Sequence, residues 1–299
     1  MTRAVPFSKV HGCANDFVLI DLTAEITTSR NAIISALDAE RVRAICDRRR
    51  GIGADGVLIL TDQAGSIHAE ILNADGSSGG MCGNGLRCIA LHLLRNDAVQ
   101  AGHDLDIVMG GRRTSVRVER ESPFRCSLDL GRVDVGMKGA GAALSDRDRA
   151  LITEVVEGLR CESAWAGNPH LVVFGDQQPI QPELEDVASR VRATGVFESG
   201  VNVSLAYVSG PGAVIAMTDE RGVGPTQACA SGAAAIVASG WRMGLLNDAC
   251  SVAMPGGDLG VELLAGREGP DAPRIARISG TAEIVFSGTL PLSAAGFEA

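Results

Sequence analysis

Two stretches decide the reading of this chain: Met81-Cys82-Gly83-Asn84-Gly85-Leu86-Arg87-Cys88-Ile89-Ala90 and Ala228-Cys229-Ala230-Ser231-Gly232-Ala233-Ala234-Ala235-Ile236-Val237. In each, a cysteine closes a Gly-containing loop and directly precedes a short apolar run of helical character. Asn84-Gly85 and Ser231-Gly232 stand at the same offsets from their cysteines. The cysteines are 147 residues apart in a chain of 299. The echo predicts two related halves, each presenting one cysteine at a helix N-terminus.

Outward from these stretches the pattern is mixed. Residues 7–10, 17–20, 57–60 and 68–72 read as strands, and 31–47 as one helix with apolar Ile33, Ile34, Leu37, Val42 and Ile45. Helices are expected over 86–94 and 233–239. Residues 104–120 alternate as a hairpin closed by Gly110-Gly111. Residues 121–150 are rich in Gly, Ser and Asp and are read as the domain boundary. A helix capped at Ser145-Asp146 is expected to run to Leu159, followed by a strand over 171–174 and a helix over 183–194. Strands over 202–208 and 213–217 flank Gly210-Pro211-Gly212. The class is mixed α/β (α+β).

Composition narrows the function. The chain is 45% hydrophobic and 21% charged, with net charge -9 and a pI of about 5.1. This disfavours a nucleic-acid partner, which needs a basic face. Apolar runs are too short and broken to span a bilayer, and the first residues lack a signal-peptide core. A cytoplasmic protein with no membrane partner is expected. The eight cysteines form no C-x-x-C pair and do not cluster with histidines at zinc-binding spacing, so reduced thiols and no metal are expected. The Gly-rich loops match neither G-x-G-x-x-G after a strand nor a G-K-[ST] ending.

A helix N-terminus offers unpaired N–H groups and the positive end of its dipole. A cysteine there ionises more easily, and a carboxylate can be held by the free amides. Gly83, Asn84, Gly85, Ala230, Ser231 and Gly232 are the amide donors. One thiolate could take an α-proton from one face of an amino acid while the opposite thiol donates to the other. Oriented amides would then stabilise the developing charge without a cofactor. Cys46, Cys88, Cys126, Cys161 and Cys250 read as small buried hydrophobes. Cys13 lies in a polar loop and stays open between the two readings. Asp16 and Asp55 read as loop anchors, and His11 and His170 as structural groups.

Five motifs resemble the diaminopimelate epimerase family: HGCANDFVLID at 11–21, GIGADG at 51–56, NADGSSGGMCGNGLRC at 73–88, GNPH at 167–170 and ERGVGPTQACASGAAA at 220–235. The resemblance covers nearly the whole chain. It implies two pseudo-symmetric domains, each a curved sheet around a central helix, with the active site in the cleft between them. Residues 1–130 plus 283–299 would form the domain with Cys82, and 131–282 the domain with Cys229. The last strand, near residues 283–286, would rejoin the first domain. Cys82 and Cys229 would be the acid/base pair. Asn15 would hold the reacting amino group, and amides of Gly83, Asn84, Ala230 and Ser231 the reacting carboxylate. Asn73, Asn168, Asn202, Glu220 and Arg221 would bind the far end of the substrate. Asn73 and Asn168 also read as turn formers. The implied reaction interconverts LL-2,6-diaminopimelate and the meso form in lysine biosynthesis, with no cofactor and in a homodimer. Cys13-Ala14, Gly56, Ser78 and Pro225 depart from the common pattern. They keep open a related racemase acting on another amino acid, such as histidine.

Overall fold

The computed structural model describes residues 3–264 and 274–292. The parts of the expected domains at 1–2, 265–273 and 293–299 lie outside these described residues. In chain order the elements are β1 (Arg3–Gly12), β2 (Asn15–Asp21), α1 (Thr27–Ala36), α2 (Ala39–Cys46), β3 (Gly56–Gln63), β4 (Ser66–Asn73), α3 (Gly83–Arg95), β5 (Asp104–Met109), β6 (Arg112–Glu121) and β7 (Phe124–Val135). Then come β8 (Met137–Gly139), β9 (Ala142–Ala143), α4 (Asp146–Val155), β10 (Arg160–Trp165), β11 (Pro169–Gly175), α5 (Gln181–Ala193), β12 (Asn202–Gly210), β13 (Ala213–Glu220) and β14 (Gly224–Thr226). The chain ends with α6 (Ala230–Arg242), β15 (Ala249–Met254), β16 (Gly257–Leu264), β17 (Arg274–Gly280) and β18 (Glu283–Leu292). Two compact units divide within β7: one runs to Leu128 and resumes at Thr281, and the other is Asp129–Gly280.

In the first unit the strand order is β18-β1-β2-β3-β4-β5-β6-β7. The strand expected near 283–286 is β18, antiparallel to β1 with Lys9 opposite Phe286. Phe17 to Ile20 and Val57 to Leu60 are all buried, so this part of the sheet is covered on both faces. Val18, Ile20, Val57 and Ile59 pack with Ile33 of α1 and Val42 and Ile45 of α2. The opposite face carries α3: a Cβ placed on Gly85 would meet Leu58 Cδ2 at 3.1 Å. α3 touches β1, β2, β6 and β18 and is buried from Gly83 to Leu93.

The second unit is a closed ring of strands, β10-β11-β12-β13-β15-β16-β17-β7, with β7 pairing back to β10 at Val135–Ala164. Arg277 of β17 binds Asp129 of β7 at 2.8 Å. Helix α6 contacts β10, β11, β12, β15, β16 and β17. Its composition explains the fit. Ala233, Ala234, Ala235, Ala238 and Gly240 are small enough to be buried on every side of the helix. α4 and α5 cover the outer face, where Ile152, Leu184 and Val191 pack on Leu171, Val173 and Val203.

The structure corrects two expectations about elements. The single helix over 31–47 is two helices, because Asp38 leaves the helical conformation and caps α2, accepting from Arg41 N at 2.8 Å. The helix starting at Ser145 has its capping box, but ends at Val155, where Glu157 and Gly158 turn the chain with φ of 58° and 78°. The Gly-, Ser- and Asp-rich stretch over 121–150 contains all of β7, a strand of 12 residues, and the division between the two units falls inside it, after Leu128. The hairpin closed by Gly110-Gly111 is present, with both glycines at positive φ.

Candidate active site

Cys82 is the N-cap of α3, with φ -128° and ψ 107°, and its Sγ accepts from Gly85 N at 3.3 Å. Cys229 is the N-cap of α6, with φ -124° and ψ 110°, and its Sγ accepts from Gly232 N at 3.3 Å. Both thiols therefore do what a serine or aspartate does at a helix start. The third helical residue is glycine in both cases. A Cβ there would lie 3.5 Å from Cys82 Sγ or 3.2 Å from Cys229 Sγ. Each cysteine's own N–H donates to a methionine sulfur at 3.3 Å: Cys82 to Met109 Sδ, Cys229 to Met254 Sδ.

In the first unit the β1–β2 turn packs directly on α3. A Cβ on Gly12 would lie 3.2 Å from Asn84 O and 3.1 Å from Arg87 Nη2, so any side chain there would press on α3. Cys13 and Ala14 then take left-handed conformations, with φ of 53° and 58°. Cys13 is buried, and its Sγ accepts from Arg87 Nη2 at 3.4 Å. Asn15 follows, and its Oδ1 is buried without a partner, an acceptor still to be satisfied. The turn is fixed from below by charge. Buried Lys9 binds Asp16 Oδ2 and Gly53 O, Arg48 binds both oxygens of Asp16, and Asp55 accepts from Asp16 N. Despite its burial, Asp16 is held far below the usual carboxylate range by its hydrogen bonds to Arg48 and Lys9. Asp16 and Asp55 are thus loop anchors. Asn73 stands at the exposed end of β4 and organises a turn, Nδ2 to Ser77 Oγ at 2.9 Å.

In the second unit Glu220 and Ser231 stand beside Cys229, and Asn168, Asn202 and Arg221 are linked through His170 and the β11–β12 pairing. Glu220 ends β13, and its Oε1 accepts from Thr226 Oγ1 at 2.8 Å. Its carboxyl stands close enough to the Cys229 thiol to raise that thiol's pKa. Asn202, fully buried, accepts from Arg221 N at 2.9 Å and leaves its Nδ2 unpartnered. It lies opposite His170 in the β11–β12 pairing, and His170 Nε2 bonds Asn168 Oδ1 at 2.7 Å. Ser231 Oγ lies 3.4 Å from Cys229 Sγ. Arg221 has an exposed side chain whose Nη1 donates to Ser199 O at 2.7 Å, so its charge needs no buried counter-ion.

The electrostatics correct one expectation. The helix N-terminus does not leave Cys229 easily ionised: burial first, and the neighbouring Glu220 carboxyl second, push its thiol up to about 12, against weaker opposing bonds from Ser231 and Gly232. The Glu220 carboxyl is itself raised by burial. Burial and the nearby Arg221 charge lower His170 to about 3, so its ring is neutral at neutral pH. The five cysteines read as packing groups are buried or half-buried. Among the described residues, no group of three or more His, Cys, Asp or Glu side chains is placed to hold a metal ion, and no helix is long and apolar enough to cross a membrane.

Sequence reasoning missed Met109, Met254 and Thr226. For the methionines a signal existed: Met109-Gly110-Gly111 and Met254-Pro255-Gly256-Gly257 each end the first strand after a cysteine-capped helix.

The fold is shared with a hydroxyproline epimerase from Agrobacterium vitis, with a TM-score of 0.64 at 15% identity over 98% of this chain and 92% of that one. The sequence is 31% identical to the diaminopimelate epimerase of Methanothermobacter thermautotrophicus over 95% of this chain and 98% of that protein. It is 33% identical to the diaminopimelate epimerase of Desulforudis audaxviator over 94% of this chain and 98% of that one. Sequence and fold together define an isomerase of the amino-acid epimerase and racemase class. The diaminopimelate epimerase family model matches residues 7–136 and 163–269, and the chain belongs to that family.

Proposed function

We propose that this protein interconverts LL-2,6-diaminopimelate and meso-2,6-diaminopimelate without a cofactor, using Cys82 and Cys229 as its two bases. The observation that carries the reading is the duplicated site: two cysteine N-caps with matching backbone angles and the same third-residue amide on sulfur. In this reading the Cys82 thiolate takes the α-proton and becomes a thiol. The Cys229 thiol, which burial keeps protonated at neutral pH, gives its proton to the opposite face of the α-carbon and becomes a thiolate. The product form of the enzyme is then set for the reverse reaction. Amides of Gly83, Asn84, Ala230 and Ser231 take the reacting carboxylate, where charge develops. Asn15 Oδ1 accepts from the reacting ammonium, which would satisfy its buried lone pairs. Asn73, Asn168, Asn202, Glu220 and Arg221 hold the distal amino-acid end, Arg221 pairing with the carboxylate. The reading includes two pseudo-symmetric domains and a homodimer in the cytoplasm, serving lysine biosynthesis.

The test is proton NMR of the reduced protein in deuterated water with LL-diaminopimelate. Loss of the α-proton signal with appearance of the meso isomer supports the reading, and Cys82→Ala or Cys229→Ala should each lower the rate by about 10²–10⁴-fold. No exchange by folded, reduced protein overturns the substrate. Exchange on histidine instead would point to the racemase reading, which Pro225 favours by occupying β14 opposite Asp219, beside Glu220.

A further inference from the structure

The amide of an N-cap residue lies outside the helix ladder and needs an acceptor of its own. In α4 of this chain the need is met by a capping box: Asp148, third in the helix, accepts from Ser145 N at 3.0 Å while Ser145 Oγ accepts from Asp148 N. At α3 and α6 that solution is closed. The third residue is glycine in both helices, so it has no side chain to reach back, and at α6 a Cβ there would crowd the Cys229 sulfur at 3.2 Å. A carboxylate there would also stand against the thiol and oppose its ionisation. Both cysteine amides instead donate to the thioether of a methionine at the end of the next strand, Met109 on β5 and Met254 on β15, both buried. A thioether is a weak acceptor that carries no charge. It satisfies a buried donor without adding an anion beside a sulfur that must gain and lose a proton.

We infer that Met109 and Met254 are positioning residues for the reaction, each fixing the backbone of one cysteine through an uncharged sulfur acceptor and so fixing the direction of its thiol. This rests on the assignment of Cys82 and Cys229 as the acid/base pair. The arrangement occurs twice with the same atoms and the same distance, which incidental packing of one side chain would not produce.

The test compares Met→Leu, which keeps the volume and removes the acceptor, with Met→Gln, which supplies an uncharged oxygen at similar reach. In protein labelled with ¹⁵N-cysteine, Met109→Leu should speed hydrogen exchange of the Cys82 amide at least tenfold and leave that of Cys229 unchanged. Met254→Leu should do the converse. With diaminopimelate, each leucine variant should lose about tenfold in kcat with KM within twofold, and each glutamine variant should regain most of it. Leucine variants with unaltered amide exchange would overturn the inference whatever the substrate is. Equal loss in the leucine and glutamine variants would assign the effect to packing and overturn it as well. Failure of diaminopimelate to react, with the amide pattern intact, would count against the substrate and not against the sulfur acceptors.

Discussion

Replacing Gly232 by alanine places a methyl group 3.0 Å from Thr218 Oγ1 and 3.2 Å from both Cβ and Sγ of Cys229. Thr218 cannot retreat freely, because it is buried and bonds Ser204 Oγ at 2.8 Å. The thiol must therefore move by a few tenths of an ångström or rotate away. Alanine gains about 1 kcal/mol of helix propensity, and overpacking costs about 1–3 kcal/mol. Stability should therefore change little, with Tm falling by at most a few degrees. Activity should suffer more, since displacement of a reacting group by about 1 Å costs up to about 10²-fold. Gly85→Ala is the control. Its methyl would sit 3.5 Å from Cys82 Sγ, ordinary contact, and press on the methyl end of Leu58 at 3.1 Å. We expect a loss of about 10–100-fold in α-proton exchange for Gly232→Ala and no more than about threefold for Gly85→Ala. The assay is exchange into deuterated water, with thermal melts of both variants. A Gly232→Ala enzyme within twofold of the parent would refute the claim that glycine is kept there to seat the sulfur.

Asp16→Asn removes the carboxylate that Lys9 and Arg48 share and leaves Lys9, 7% exposed, beside an uncharged amide. It should cost about 3–5 kcal/mol in chemical denaturation, and a loss under 1 kcal/mol would show the network is not stabilising. His170 is lowered to about 3, below its unfolded value near 6.5, so the folded form gains stability that is lost as pH falls from about 6.5 toward 3. Its ring protons should show no titration between pH 5 and 8, and a midpoint in that range would contradict its burial. Burial raises Cys126 and Cys229 to about 12 and Cys161 to about 11, above an unfolded value of 9. The unfolded chain ionises first, so stability should fall as pH rises from about 9 to 11 under reducing conditions. Cys126→Ala should flatten that slope, and an unchanged slope would argue against a buried neutral thiol.

Much of the site was legible because it is local. A cysteine followed by a small polar residue, a glycine and an apolar run has few ways to fold other than as an N-cap, and Cys82 and Cys229 both do so. Turn and hairpin signals such as Gly110-Gly111 are equally short-range. What escaped depends on residues far apart in sequence. No periodicity reports that Met109 sulfur meets an amide 27 residues earlier, or that Cys229 is enclosed so fully that burial outweighs the helix N-terminus. The break at Asp38 escaped for a different reason. The apolar spacing of Ile33, Ile34, Leu37, Val42 and Ile45 continues across it, because α1 and α2 both face the same cluster.

The pairing of β1 with β18 joins residues such as Ser8 and Ser287, which are 279 positions apart in the chain. The contiguous unit Asp129–Gly280 has all its strands available before β18 has been synthesised. During synthesis, then, the segment that starts first is completed last. Until β18 arrives, β1 presents an unpaired edge bearing Val5 and Phe7, which are buried in the finished protein. Birth order and completion order are reversed in this protein, and the interval between them is when it is most exposed to misassociation.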